Sequence, residues 1–135
     1  NENPIRELDL SNWNVDKLEQ SVGMFNNSAV KVNLSGWDLL SLQGSGSMFR
    51  LNYVDELNLS NLNFVNSSDY TSMFETFEGK KYPSVIDLSG SDWNENATTN
   101  NMFKGIVGST IYVKNQKAKS FIEQQAPDCI VLIKE

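Results

Sequence analysis

Leu8 to Trp13 reads LDLSNW, and near copies follow as VNLSGW from Val32, LNLSNL from Leu57 and IDLSGS from Ile86. A phrase returning at a nearly fixed spacing is the mark of stacked structural repeats. A second phrase, Met-Phe, recurs at Met24-Phe25, Met48-Phe49, Met73-Phe74 and Met102-Phe103, and each Met lies 16 residues after the first residue of its own phrase. Successive phrases are 24, 25 and 29 residues apart, so length varies only between one Met-Phe and the next phrase. The largest insertion is ETFEGKKYPS, residues 75–84, where Gly79, the Lys80-Lys81 pair and Pro83 predict a surface loop.

Within each phrase the flanking apolar residues (Leu8/Leu10, Val32/Leu34, Leu57/Leu59, Ile86/Leu88) alternate with one polar residue, the period-2 pattern of a half-buried strand. Strands of three to five residues are not stable alone. Stacked in parallel about 4.8 Å apart, they form a continuous sheet whose inward ladder is the core. The pairing is parallel because some 20 residues separate successive strands, too many for a hairpin and enough for a crossover.

After the strand come Ser11, Ser35, Ser60 and Ser89, then Asn12, Gly36, Asn61 and Gly90. Gly and Asn accept a left-handed backbone, so a sharp turn is predicted at that second position in every unit. The serines are expected to hydrogen-bond backbone groups freed by the turn. A nucleophilic serine is disfavoured, because the chain has no histidine to serve as its base. Trp13, Trp37 and Leu62 share the next position, where the fourth unit has Ser91 and carries Trp93 two residues later. Val15, Leu39, Phe64 and Trp93 form a further apolar column, and residues 91 to 101 are expected to be locally loosened. The Met-Phe pairs are expected on a short helix or helical turn behind the sheet, packing inward rather than lining a ligand box.

Ile111 falls nine residues after Met102, so TIYV is a fifth strand. NQKAKSFIEQQA then places Ala118, Phe121, Ile122 and Gln125 at helical spacing behind Asn115 as N-cap, with Pro127 just beyond. CIVLI, from Cys129, predicts one more strand, substantially buried, and Cys129 reads as a structural thiol. This helix-strand element is expected to close the stack as a polar-backed cap. No matching N-terminal cap is visible, which leads us to expect further chain or partner surface before residue 1.

The combination of LDLSNW, an in-register Met-Phe, a period near 25 and the closing TIYVKNQKAKSFIE resembles the BspA-like leucine-rich repeat surface proteins of bacteria, with their LDLSNWDTSNVTDMSxMF unit. Residues 8 to 114 match as repeats and 115 to 135 as the usual ending. Mid-unit stretches such as VDKLEQSV and FVNSSDYT depart from that pattern, which touches the turns there and not the array. The resemblance implies an α/β fold, a leucine-rich-repeat right-handed solenoid of short parallel strands with short helical turns on the back. It would have about five rungs, starting near residues 8, 32, 57, 86 and 111, and a C-terminal helix-strand cap at 115–135, all in one domain over 1–135. It also implies a secreted or cell-surface protein whose repeats mediate adhesion or protein binding, with no catalytic residues.

Composition narrows the function further. A net charge of -6 disfavours nucleic acid as partner, since phosphate neutralisation needs clustered Lys and Arg. No apolar run approaches the roughly 20 residues of a membrane helix, so membrane insertion of this segment is not expected. The candidate docking residues are those facing out of the sheet: Asp9, Asn33, Asn58, Asp87 and Tyr112, flanked by Glu7, Lys31, Glu56, Val85 and Thr110. Tyr112 is the best single anchor, because aromatic residues concentrate binding energy at interfaces. Asp9 and Asp87 would lie about 14 Å apart at the strand spacing, too far to share an ion, so neither a metal nor a cofactor is expected. Five Asn-x-Ser/Thr matches, among them Asn26-Asn27-Ser28 and Asn96-Ala97-Thr98, follow from an Asn- and Ser-rich repeat and carry no weight. Three classes stay open: a protein-binding surface module or passive stalk, a carbohydrate module stacking sugars on Trp13 and Trp37, and an enzyme with a carboxylate pair that no spacing nominates.

Overall fold

The computed structural model of the chain describes residues 7–15, 17–27, 31–37, 39 and 41–134. The fold is α/β, with parallel strands in two sheets and one helix. Each apolar-polar-apolar phrase forms a short strand: β1 (Glu7–Asp9), β2 (Lys31–Asn33), β3 (Glu56–Asn58), β4 (Val85–Leu88) and β5 (Thr110–Val113). Helix α1 (Gln116–Gln125) and strand β6 (Ile130–Ile133) follow. Strands β1 and β2 pair in one sheet, and β3, β4, β5 and β6 pair in that order in a second. All pairings are parallel and keep the repeat in register, so that Leu8 lies opposite Val32, and Leu57, Ile86, Ile111 and Val131 form one row.

The inward row is the core, apart from its first member. Leu10, Leu34, Leu57, Leu59, Ile86 and Leu88 are buried, whereas Leu8 is 43% exposed. Among the described residues nothing pairs with the other edge of β1, so Leu8 has a strand neighbour on one side only. Trp13 differs from its equivalents for the same reason: it is 60% exposed, while Trp37 and Leu62 are buried. Neither residue of the first phrase is therefore core, contrary to the expectation from the repeat.

The turn after each strand is present, but its chemistry differs from the prediction. The N–H groups of Trp13, Trp37, Leu62 and Ser91 close it by donating to the carbonyls of Leu10, Leu34, Leu59 and Leu88. Among the four positions expected to be left-handed, only Gly36 has a positive φ, of 82°. Gly90 is needed for a different reason, since a Cβ there would collide with the Ser60 carbonyl. The left-handed column lies instead immediately before each Met, at Gly23, Ser47, Ser72 and Asn101.

That column shapes the Met-Phe phrase, which is not helical. The N–H of each Met closes a turn onto the carbonyl three residues back, at Ser21, Ser45, Tyr70 and Thr99. A positive φ at the third residue of such a turn is the type II geometry. Alternate N–H groups point sideways to the next unit: Phe25, Phe49 and Phe74 donate to the carbonyls of Met48, Met73 and Met102 at 2.9, 2.9 and 2.8 Å. The residues two before and two after each Phe donate in the same register. A helix would spend those N–H groups internally; here they build a second ladder across the back. The phenyl rings follow it, with Phe25, Phe49, Phe74 and Phe103 stacked at 5.5, 5.7 and 4.8 Å.

The fourth unit is tied down rather than loosened. The Ser91 hydroxyl accepts from the Phe64 N–H, and Asn94 donates through Nδ2 to the Ser67 carbonyl and through N–H to the Tyr70 hydroxyl. Its polar side chains replace apolar contacts with bonds to the preceding unit. Helix α1 starts where expected, with Asn115 Oδ1 accepting from the Ala118 N–H at 3.0 Å. Its buried face carries Ala118, Phe121 and Ile122. Phe121 stacks on Trp93, itself stacked on Phe64, so the helix supplies the next ring of that column. Strand β6 departs from expectation: Val131 is its only buried residue, and Ile130, Leu132 and Ile133 are exposed because no strand pairs beyond it among the described residues.

Candidate interaction face

Two outward rows cross the sheets. One runs Asp9 to Asn33 in the first sheet and Asn58, Asp87, Tyr112, Leu132 in the second. The other runs Glu7 to Lys31, then Glu56, Val85, Thr110, Ile130. The side chains of Glu7 and Lys31 lie outside the described residues, so only their backbone pairing places them on this face.

The Asp/Asn row has a structural task. Asp9, Asn33, Asn58 and Asp87 each accept, through Oδ1, the N–H of the serine two residues on, at 2.9 to 3.0 Å. Such Asx turns satisfy the N–H that leaves the ladder as the chain bends away. The hydroxyls of Ser11 and Ser35 donate to the same oxygens at 2.6 and 2.7 Å, rather than to the backbone as expected. One side-chain oxygen therefore holds the turn, which explains why only Asp and Asn stand at this position in the four phrases. The Ser11 hydroxyl, and after it the Ser11 N–H, hold the Asp9 carboxyl below its usual range.

Asp87 is not an exposed docking residue: it is 6% exposed. Lys134, just past β6, reaches back over β5 to place Nζ 2.6 Å from Asp87 Oδ2 and 5.4 Å from the centre of the Tyr112 ring. Burial pushes the Asp87 carboxyl up, but the hydrogen bonds from Lys134 and Ser89 together outweigh it and leave it below the ordinary carboxylate range. The same bond raises the Lys134 ammonium. Asp9, Glu56 and Asn58 are exposed, and Asn33 and Tyr112 are half-buried.

What the sequence reading missed lies on β6. Ile130 and Leu132 are 53% and 43% exposed and continue the outward rows beyond Thr110 and Tyr112. Reading CIVLI as a buried strand hid them, since an uninterrupted apolar run gives no period by which to tell faces apart. Tyr112, Ile130 and Leu132 together form an apolar patch at one end of an otherwise polar face. Cys129 is half-buried beneath it, its thiol near the Ile106 carbonyl and its pKa pushed up first by burial.

Among the described residues no group of three or more His, Cys, Asp or Glu is placed to hold a metal ion, and no helix is long and apolar enough to cross a membrane. The geometry defines a repeat protein of short parallel strands with a polar outward face and one apolar corner. The chain belongs to the family described as "Mycoplasma protein of unknown function, DUF285", which matches residues 3–86. No curated protein and no solved structure gives a significant match.

Proposed function

We propose that the chain is a non-catalytic docking module of a secreted or cell-surface bacterial protein, holding an extracellular or host protein on the outward face of its second sheet. In this reading the units are successive rungs of one right-handed leucine-rich-repeat solenoid of the BspA-like kind, about five in number, closed by α1 and β6. The in-register strands, the turn ladder behind them and the recurring LDLSNW and Met-Phe phrases support that architecture. The surface location rests on the resemblance of those phrases to the BspA-like family.

The observation that carries the docking proposal is the alignment of Tyr112, Ile130 and Leu132 across two hydrogen-bonded strands, with Ile130 and Leu132 exposed and Tyr112 half-buried beside them. A rigid backbone loses little entropy on binding, and aromatic residues such as Tyr112 concentrate binding energy at interface centres. The polar Asn58 and Glu56, two strands from Tyr112, would form its outer rim. Sugar stacking would need a line of exposed rings, whereas Trp37 and Trp93 are buried and Trp13 alone faces solvent. Binding of the chain to a panel of purified extracellular-matrix and epithelial surface proteins, with a glycan panel beside it, tests the reading. Saturable protein binding supports it, and binding to glycans alone overturns it.

A further inference from the structure

The turn ladder on the back is unfilled at one end. In each of the first three units, alternate N–H groups around the Met-Phe phrase donate to carbonyls of the next unit. The equivalent donors of the fourth unit, the N–H groups of Thr99, Asn101, Phe103 and Gly105, have no hydrogen-bond partner among the described residues. After β5 the chain enters α1 instead of building another Met-Phe turn. A cleft of about 310 Å³ occupies the vacant place, between residues 99–106 and 125–128, with Met102, Phe103, Ile106, Ala126 and Pro127 in its wall.

We propose that this cleft captures a turn-forming peptide segment of a partner protein, whose alternate carbonyls complete the ladder. The chain itself specifies the chemistry of such a segment. The three stretches that fill the register internally are GSGSMFR (Gly44–Arg50), DYTSMFE (Asp69–Glu75) and TTNNMFK (Thr98–Lys104). Each places Ser or Asn in the left-handed conformation immediately before an unbranched apolar Met. The ligand is therefore a segment with Ser, Asn or Gly at the left-handed position and a flexible apolar residue after it. A second copy of this chain does not fit in the same register. Its turn is joined to a strand, and laying one whole unit on this edge would put that strand where β5 already lies. Four parallel main-chain bonds amount to strand addition carried out on a ladder of turns.

The test uses the full chain, labelled with 15N, and the synthetic peptide GSGSMFR. Saturable shifts of the Thr99, Asn101, Phe103 and Gly105 amides, with at least tenfold slower hydrogen exchange at those four, are expected. The same peptide carrying Ser47→Pro cannot adopt the turn and should lose binding at least tenfold. Gln125→Trp should block the cleft with the far-UV spectrum unchanged. Equal binding of the proline peptide, or shifts confined to the outward sheet face or to the first unit, would overturn the proposal. Dilution-dependent shifts of the same four amides in the free protein would put a second copy in the cleft and overturn it as well. Because the cleft lies on the turn ladder, away from Tyr112, its outcome is separate from that of the sheet-face reading.

Discussion

Lys134 Nζ lies 2.6 Å from Asp87 Oδ2, linking the residue after the last strand to a strand two places away across the sheet. Asp87 is the buried partner and Lys134 the exposed one. Because the folded carboxyl titrates below its unfolded value, its contribution to stability is fully present above the ordinary Asp range near 3.8 and is lost as pH falls through the lowered folded value. Lys134→Ala removes the largest of the lowering influences, so the Asp87 carboxyl should titrate higher than in the wild type. An NMR titration of the Asp87 side-chain carbon in both proteins measures this; identical midpoints would mean that the pair does not form.

Tyr70 should limit alkaline stability. Its phenol is buried, donates to the Phe64 carbonyl at 2.7 Å, and is pushed up to about 12 chiefly by burial, against the hydrogen bond from the Asn94 N–H. A raised folded value means that the stabilisation is fully present below the unfolded value of 10.0 and is lost as pH rises through the folded one. The rise from 10.0 to about 12 corresponds to about 2 to 3 kcal/mol lost by pH 12. Urea unfolding at pH 8 and pH 11.5 should show that extra loss in the wild type and not in Tyr70→Phe, which is weaker at pH 8 for want of the phenol's hydrogen bonds.

The two buried tryptophans differ in one bond. Trp37 Nε1 donates to the Leu10 carbonyl at 2.8 Å, whereas Trp93 Nε1 is buried without a partner among the described residues. Replacement by Phe removes similar volume at each site but a satisfied donor only at the first. Trp37→Phe should cost about 1 kcal/mol more than Trp93→Phe in urea unfolding. The reverse order would indicate that the Trp93 indole does have a hydrogen-bonded partner.

The Asx column gives Asn58 a part in stability. Asn58→Ala should lower unfolding free energy by about 0.5 to 1.5 kcal/mol, the typical worth of one such hydrogen bond. An unchanged unfolding curve would show that the N–H of Ser60 does not depend on it.

Strand phrases, their parallel pairing, the N-cap at Asn115 and the burial of the last three Met-Phe pairs were legible because each rests on a periodic pattern, whereas Met24 of the first pair is exposed. The two-sheet division was not, since nothing in VNLSGW or LNLSNL distinguishes paired from unpaired neighbours. Left-handed geometry was assigned to Asn12, Asn61 and Gly90 because Gly and Asn tolerate it. It occurs at Ser47 and Ser72, where the lateral ladder compels it, and residue type gave no sign of that. End effects were invisible for a similar reason: Leu8 and Trp13 look like their equivalents and differ in lacking a neighbour on one side among the described residues. For the site, the outward position of Asp87 was correctly placed, but Lys134, 47 residues away in sequence, covers it.

The central claim, that the apolar corner of the sheet face holds a protein partner, is tested most directly by measuring the binding of two variants to a matrix protein that the wild type captures. Leu132→Asp charges an exposed position on the patch, and Asn58→Ala alters a polar position three strands away in the same row. We predict that Leu132→Asp lowers affinity at least tenfold with its melting temperature retained, while Asn58→Ala binds within about threefold of wild type, as rim substitutions usually do. Undiminished binding by a folded Leu132→Asp protein would contradict the claim.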